Sequence, residues 1–229
     1  MLAVNGFEIH KGRLDPPAQA AMAADVARVA AAAPFFAPLT PWGKPMSVAM
    51  TSAGRYGWFT DRSGYRYVDR HPSGTPWPPI PASVLAVWRA LVSEARMPDC
   101  CLVNRYGPTA RMGLHRDADE QDFAWPVLSI SLGDPAVFRI GGRRRSDPTT
   151  SVLLESGDVV VFGGDARLAY HGIDRIRAGG SRLLPEGGRM VTIGRFLSAP
   201  EADMDDEAAL VGWGLRALAA AGLSPPPDR

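Results

Sequence analysis

From residue 100 onward the chain is a succession of short apolar runs, at 100–106, 127–132, 136–140, 151–155, 158–162, 167–171 and 189–197. Turn-forming residues separate them: Gly107-Pro108, Gly133-Asp134-Pro135, Asp147-Pro148, Ser156-Gly157-Asp158 and Gly163-Gly164-Asp165. Many short strands at close spacing specify an all-β sandwich or barrel.

Helices are expected only around that core. Residues 16–33 read as one, with Pro16 and Pro17 at its entry and Pro34 at its end. Val84, Leu85, Trp88, Leu91, Val92 and Ala95 recur at helical spacing, and Ser83 is placed to cap them. Before that helix, five of the eleven residues in "HPSGTPWPPIP" (71–81) are proline, which excludes regular structure there. "MSVAMTS" (46–52) alternates as a strand, and "YGWFTDRSGYRYV" as a hairpin turning at Asp61, Ser63 and Gly64. Leu210, Val211, Leu215 and Leu218 form a further helical stripe in the tail, 201–229, which Gly222 can close.

The 229 residues are read as a single domain without a linker. A chain of this size buries about 70% of its unfolded surface, so neither disulfide nor metal is required for folding. Its two cysteines, Cys100 and Cys101, are neighbours and provide no disulfide framework, which points to a reducing, cytoplasmic setting. The Ala-rich stretch 18–33 carries Gln19, Asp25 and Arg28, too short and too polar to span a bilayer. No membrane association is expected, and a monomer is. The net charge of +1 gives no global attraction for a polyanion, so any nucleic-acid contact must be a local patch.

"GLHRDADE" (113–120) spends one of only four histidines beside an acidic run. His115 and Asp117 lie two apart on one side of an extended segment, and His171 follows 54 residues after Asp117 in "LAYHGI". Two imidazoles and one carboxylate are the facial triad of non-heme iron, with open positions left on the ion. The plain alternative is two turn histidines with local hydrogen bonds. "HRD" also matches the kinase catalytic triplet, but no D-F-G follows, no Gly-rich loop precedes it, and Asp122 stands where that motif needs asparagine.

Arg189 and Arg195, in "RMVTIGR", are six apart and share a face if the run is a strand. A buried arginine needs an anion, and its fork suits a carboxylate such as the distal end of 2-oxoglutarate. In "CLVNRY", Asn104 and Tyr106 share a face and could hold the same group. The alternative places all four on a solvent face.

Together these pieces resemble the AlkB family of Fe(II)/2-oxoglutarate dioxygenases, of the bacterial type that repairs alkylated nucleic acid. The likeness runs from about Thr40 to Phe196 through "MSVAMT", "GWFTDRSGYRY", "CLVNRYGPTARMGLHRDADE", "VLSISLGDPAVFRIGG", "SDP", "LLESGDVVVFGG" and "RLAYHGI" to the arginine pair. It implies a mainly β (α+β) fold, a double-stranded β-helix or jelly roll over 100–197 with helices outside, and a nucleotide-recognition lid within 40–80. It implies Fe(II) on His115, Asp117 and His171, and 2-oxoglutarate on Asn104, Tyr106, Arg189 and Arg195. Trp58, Tyr65, Arg66 and Tyr67 of the hairpin, with Asp119 and Arg145, would contact the substrate. That substrate would be alkylated DNA, or RNA, with O2 as co-reactant. The implied reaction oxidises an N-methyl group, as on 1-methyladenine or 3-methylcytosine, and releases formaldehyde, succinate and carbon dioxide.

Aromatic faces such as Trp58 suit stacking on a base drawn out of its helix. Arg139 and Arg143 to Arg145 would form a local phosphate patch. The bland readings are a hydrophobic plug and a solvated turn. The chain departs from the family pattern at Val191 and Ile193, where asparagine and threonine are usual, and at Lys44, where an aromatic is frequent. Those departures keep two other readings open: a lesion-binding protein that turns over poorly or not at all, and a dioxygenase of a non-nucleic-acid substrate.

Overall fold

The structure, a computed structural model, describes residues 1–40, 42–93, 95–120 and 122–195. The helical stripe expected over 201–229 lies outside them. Among the described residues thirteen strands and two α-helices follow in chain order: β1 Leu2–Val4, β2 Phe7–His10, α1 Pro16–Ala32, β3 Val48–Gly54, β4 Gly57–Asp61, β5 Gly64–Val68, α2 Ala82–Leu91, β6 Cys100–Tyr106, β7 Met112–His115, β8 Val127–Gly133, β9 Ala136–Ile140, β10 Thr150–Leu154, β11 Val159–Phe162, β12 His171–Ile176 and β13 Arg189–Arg195.

They form a seven-stranded sheet, β1-β2-β11-β8-β13-β6-β3, a four-stranded sheet, β10-β9-β12-β7, and the β4-β5 hairpin. All the pairings are antiparallel. This is the mainly β jelly roll expected, with helices outside. The large sheet also takes three strands from before residue 100.

Alternation along the strands sorts the core into two layers. Leu128, Ile130 and Leu132 of β8, Val159 and Val161 of β11 and Met190 of β13 face outward onto Met22, Val26 and Val29 of α1 and Val84 and Trp88 of α2. The intervening residues, Val127, Val160, Phe162 and Val191, face inward with Phe138, Ile140 and Leu154 of the small sheet. Burying an aliphatic or aromatic side chain of this size stabilises by about 1.5–3 kcal/mol. Arg189 and Arg195 lie on that inward face too, which puts both charges inside the fold.

Asp15 caps α1 by accepting from Ala18 N at 2.8 Å, with prolines opening the first turn. Ser83 does not cap α2. Pro81 holds the cap position without a side-chain bond, and the Ser83 hydroxyl reaches across to Asp25 Oδ2 at 2.5 Å, tying α2 to α1. Trp88 is wholly buried over Gly194, where a Cβ would stand 3.1 Å from the indole. That glycine lets the helix sit close on β13.

Residues 167–171 are not a strand. A short 3-10 turn over Gly164–Ala166 precedes Arg167, and the strand begins only at His171. Arg167 is pulled inward because its guanidinium serves carbonyls on another loop.

Candidate metal centre and cosubstrate pocket

β7 and β12 are neighbours in the small sheet, and His115 lies directly opposite His171 in their register. The two histidines therefore sit on adjacent strands rather than on facing ones. Gly172 permits this approach, since a Cβ there would fall 2.6 Å from Met112 O. The imidazole centroids are 4.6 Å apart. Asp117, just past β7, places Oδ1 3.8 Å from His115 Nε2 and Oδ2 3.9 Å from His171 Nε2. Those gaps are too long for hydrogen bonds, and one ligand atom from each residue lies within 4.8 Å of the others.

The other ring nitrogens are occupied. His115 Nδ1 is 2.9 Å from Gly113 O, and His171 Nδ1 is 3.1 Å from Ala169 O. A proton on each Nδ1 leaves the lone pair on Nε2, aimed at the shared space, which is how a metal-ligating histidine is normally oriented. Burial, then the nearby His115, pushes the His171 pKa down to about 4, so it is neutral near pH 7. Burial would raise the Asp117 carboxyl, but Arg195, then the two histidines and Arg167, outweigh it and hold it well below the usual carboxylate range. The set fits a divalent iron ion.

Behind the triad lies a narrow cavity lined by Asn104, Tyr106, Ser129, Arg189, Val191 and Ile193, among others. Arg189 is fully buried. It donates to Ser131 Oγ at 2.5 Å and to the carbonyls of Asp134 and Leu154 at 3.1 and 3.3 Å. Among the described residues no carboxylate pairs with it, and burial lowers its pKa to about 10. Its Nε and Asn104 Oδ1 are buried without hydrogen-bond partners. A buried cation lacking an anion, beside unmet polar atoms, fits a small dicarboxylate such as 2-oxoglutarate.

Arg195 stands apart from Arg189. Its guanidinium donates to Glu120 Oε1 at 2.6 Å, to Tyr67 Oη at 3.0 Å and to Asp117 Oδ2 at 3.2 Å, leaving only Nε unpartnered. Of the two arginines, it braces the metal carboxylate while Arg189 carries the uncompensated charge. Two residues given no role in the sequence complete this brace. Glu120 is buried and accepts from Tyr67 at 2.8 Å. Arg167 lies 3.2 Å from Glu120 Oε2, and donates to Asp117 O at 2.7 Å and Trp125 O at 3.1 Å. The Oε2 contact is one of charge rather than an aligned bond, since that oxygen has no hydrogen-bond partner. An arginine opening an apolar run, "RLAYHG", was the visible signal.

An outer cleft of about 470 Å³ reaches the metal ligands from the surface, lined by Trp58, Tyr65, Asn104, His115, Asp117, Asp119 and Arg195. Trp58 stacks on Tyr65 with centroids 5.5 Å apart, and its Nε1 donates to Asp119 Oδ2 at 3.3 Å. Arg66 points to the opposite face of the hairpin, paired with Asp61 at 2.7 Å over the Phe59 ring, and takes no part in the cleft. Tyr67 lies beneath the hairpin, on Glu120. Arg145 donates to Leu114 O at 2.6 Å, next to His115. Arg144 pairs with Asp147 and Arg139 donates to Thr149, leaving Arg143 as the member of the expected patch without a bond among the described residues.

A jelly roll holding two histidines and a carboxylate beside a buried, unpaired arginine defines an iron-dependent dioxygenase fed by a dicarboxylate cosubstrate. Residues 6–197 match the 2OG-Fe(II) oxygenase superfamily. A relative from Caulobacter vibrioides, named Alpha-ketoglutarate-dependent dioxygenase AlkB homolog, is 55% identical over 191 residues, covering 83% of this chain and 87% of its own. The DNA N(6)-methyladenine demethylase ALKBH1D of Arabidopsis thaliana is 45% identical over 83 residues, 34% of this chain and 19% of its own. The solved structure of OsALKBH1 superposes with a TM-score of 0.74 at 28% identity, covering 86% of this chain and 99% of that one. The chain belongs to the 2OG-Fe(II) oxygenase superfamily and, within it, to the AlkB homologues, dioxygenases that use iron and 2-oxoglutarate.

Proposed function

We propose that this dioxygenase removes methyl groups from N-alkylated bases, of the 1-methyladenine and 3-methylcytosine type, in DNA, with RNA as the second candidate. The observation that carries the reading is the aromatic mouth. Trp58 and Tyr65 stand stacked over a cleft whose floor is His115 and Asp117. A base taken out of its helix presents a flat face to such a wall, and a methylated base is easier to extrude because its pairing is already weakened. Asp119, beside Trp58, supplies an acceptor for an exocyclic amine. The demethylase name of the Arabidopsis relative accords with this.

Bound iron with 2-oxoglutarate would supply the oxidation of the N-methyl carbon. His115, Asp117 and His171 would hold the ion, and Arg189 with Asn104 and Tyr106 the cosubstrate. Arg195 and Arg167 keep the Asp117 carboxylate charged and fixed, and Glu120 holds the two guanidiniums in place. Trp58 and Tyr65 position the base and exclude water from it.

The test is incubation of the iron-loaded protein with 2-oxoglutarate, oxygen and a short oligonucleotide carrying 1-methyladenine or 3-methylcytosine. A mass drop of one CH2 with matching formaldehyde is expected. Succinate formation with both oligonucleotides left intact would overturn the reading.

A further inference from the structure

Trp42 is the most exposed large aromatic among the described residues, at 83% against 52% for Tyr65. It belongs to neither core cluster, yet it lines the same cleft as Trp58, Tyr65 and the metal ligands. Single exposed apolar residues are ordinary on protein surfaces. This one is held in place by a built turn. Thr40 N donates to Lys44 O at 2.8 Å, Gly43 N to Thr40 O at 2.8 Å, and Lys44 N to Thr40 Oγ1 at 3.1 Å. Below them Leu39 bridges Pro45, and Met46 N donates to Pro38 O at 2.8 Å. Gly43 closes the turn at φ +76°, a conformation that favours glycine.

The turn meets the tip of the β4-β5 hairpin. A Cβ on Gly43 would stand 3.1 Å from Arg62 Nε, so that side chain lies across the turn. Lys44 and Arg62 are both exposed, and neither makes an ion pair among the described residues. The cleft thus carries a bare indole at its edge, with Lys44 two residues on and Arg62 lying across Gly43, neither ion-paired among the described residues. An indole offers a π-face, and cations near it suit the phosphates of a nucleic-acid backbone.

We infer that Trp42 is a second stacking platform, which takes an unpaired base next to the target nucleotide in a single strand while Lys44 and Arg62 meet the adjoining phosphates. The inference rests on the nucleic-acid reading above and extends it to the form of the strand. A neighbouring base held in a duplex has its faces covered by its own stack, whereas a single strand offers them freely.

The experiment is fluorescence anisotropy of a labelled single strand of five thymidines, with iron-loaded protein and 2-oxoglutarate under anaerobic conditions. Trp42→Ala is expected to weaken binding about tenfold, the loss of one base–aromatic stack, and Trp42→Phe to stay within about threefold of the wild type. Melting temperatures should not move, because the side chain supports no core. With a lesion-bearing strand, KM should rise by the same factor while kcat holds. Wild-type affinity in Trp42→Ala, equal losses in Ala and Phe, or no binding by the wild type would each overturn the inference. The two readings separate cleanly: demethylation with binding insensitive to Trp42 sinks the platform alone, and Trp42-dependent binding without demethylation sinks the proposed reaction alone.

Discussion

Val191 lies opposite Ser131 across the β13–β8 ladder, and Arg189, two residues earlier on β13, donates to that same serine at 2.5 Å. The serine is thereby committed to the arginine, and an apolar side chain fills the adjoining wall. A hydrogen bond to a charged group stabilises by about 1.5–3 kcal/mol. Val191→Asn is therefore expected to tighten 2-oxoglutarate binding by about tenfold or more, and Arg189→Ala nearly to eliminate it. Anaerobic titration of the iron-loaded protein, followed by its charge-transfer band, measures both. Unchanged affinity in Val191→Asn with an intact fold would mean that Ser129 or water already supplies the contact.

His115 and Asp117 should separate in stability even though removal of any of the three metal ligands abolishes turnover. His115 is partly exposed and holds only Gly113 O, so His115→Ala should leave the melting temperature near the wild type. Asp117→Ala strips one acceptor from buried Arg195, which keeps Glu120 and Tyr67. A cost of about 1–3 kcal/mol is expected. Iron titration and thermal melts of the two proteins check this, and wild-type turnover by any one variant would remove that residue from the centre.

β6, β8, β9, β10, β11 and β13 are legible as short apolar runs set off by turn residues, whereas β7 falls in none of those runs and β12 begins only where the run at 167–171 ends. The β1-β2 hairpin was not read, although Asn5-Gly6, both at positive φ, is the two-residue turn that joins antiparallel strands. Its strands are only three and four residues long, too short for a period to stand out. The histidine–aspartate pair and Arg189 were readable from spacing, since strand geometry fixes which residues share a face. The brace was not, because Glu120, Arg167 and Tyr67 come from three separate segments. Only the closed fold brings them together.

Glu120 should matter more than its place behind the ligands suggests. It faces Arg195 at 2.6 Å, Arg167 at 3.2 Å and Tyr67 at 2.8 Å, and burial leaves no water to replace it. Removing one partner of a buried ion pair costs about 3–5 kcal/mol, so Glu120→Ala should be strongly destabilised. Tyr67→Phe, losing a hydroxyl that donates to Glu120 and accepts from Arg195 while both charges stay paired with each other, should cost less, about 1.5–3 kcal/mol. Denaturant midpoints of both variants test this. A Glu120→Ala protein as stable as the wild type would mean that the two arginines find other acceptors.

Trp58 joins two roles that the sequence set against each other. It is 8% exposed and part of the inner core, and it also lines the cleft and donates to Asp119. Trp58→Ala should therefore lose stability as well as binding, by about 3–5 kcal/mol for the truncation of a buried indole. That variant alone cannot separate packing from recognition. Trp58→Phe keeps a ring against Tyr65, removes the donor to Asp119 and shortens the side chain by one ring. It should melt closer to the wild type than Trp58→Ala does. Its conversion of 2-oxoglutarate to succinate without nucleic acid should be unchanged, because that step uses the iron ligands and Arg189. Its KM for a methylated oligonucleotide should rise, since Asp119 is released to move away from the base. Succinate assays with and without the oligonucleotide measure the two halves. A matching fall in both would assign Trp58 to the core alone, and no change in either would leave Tyr65 as the working face of the cleft.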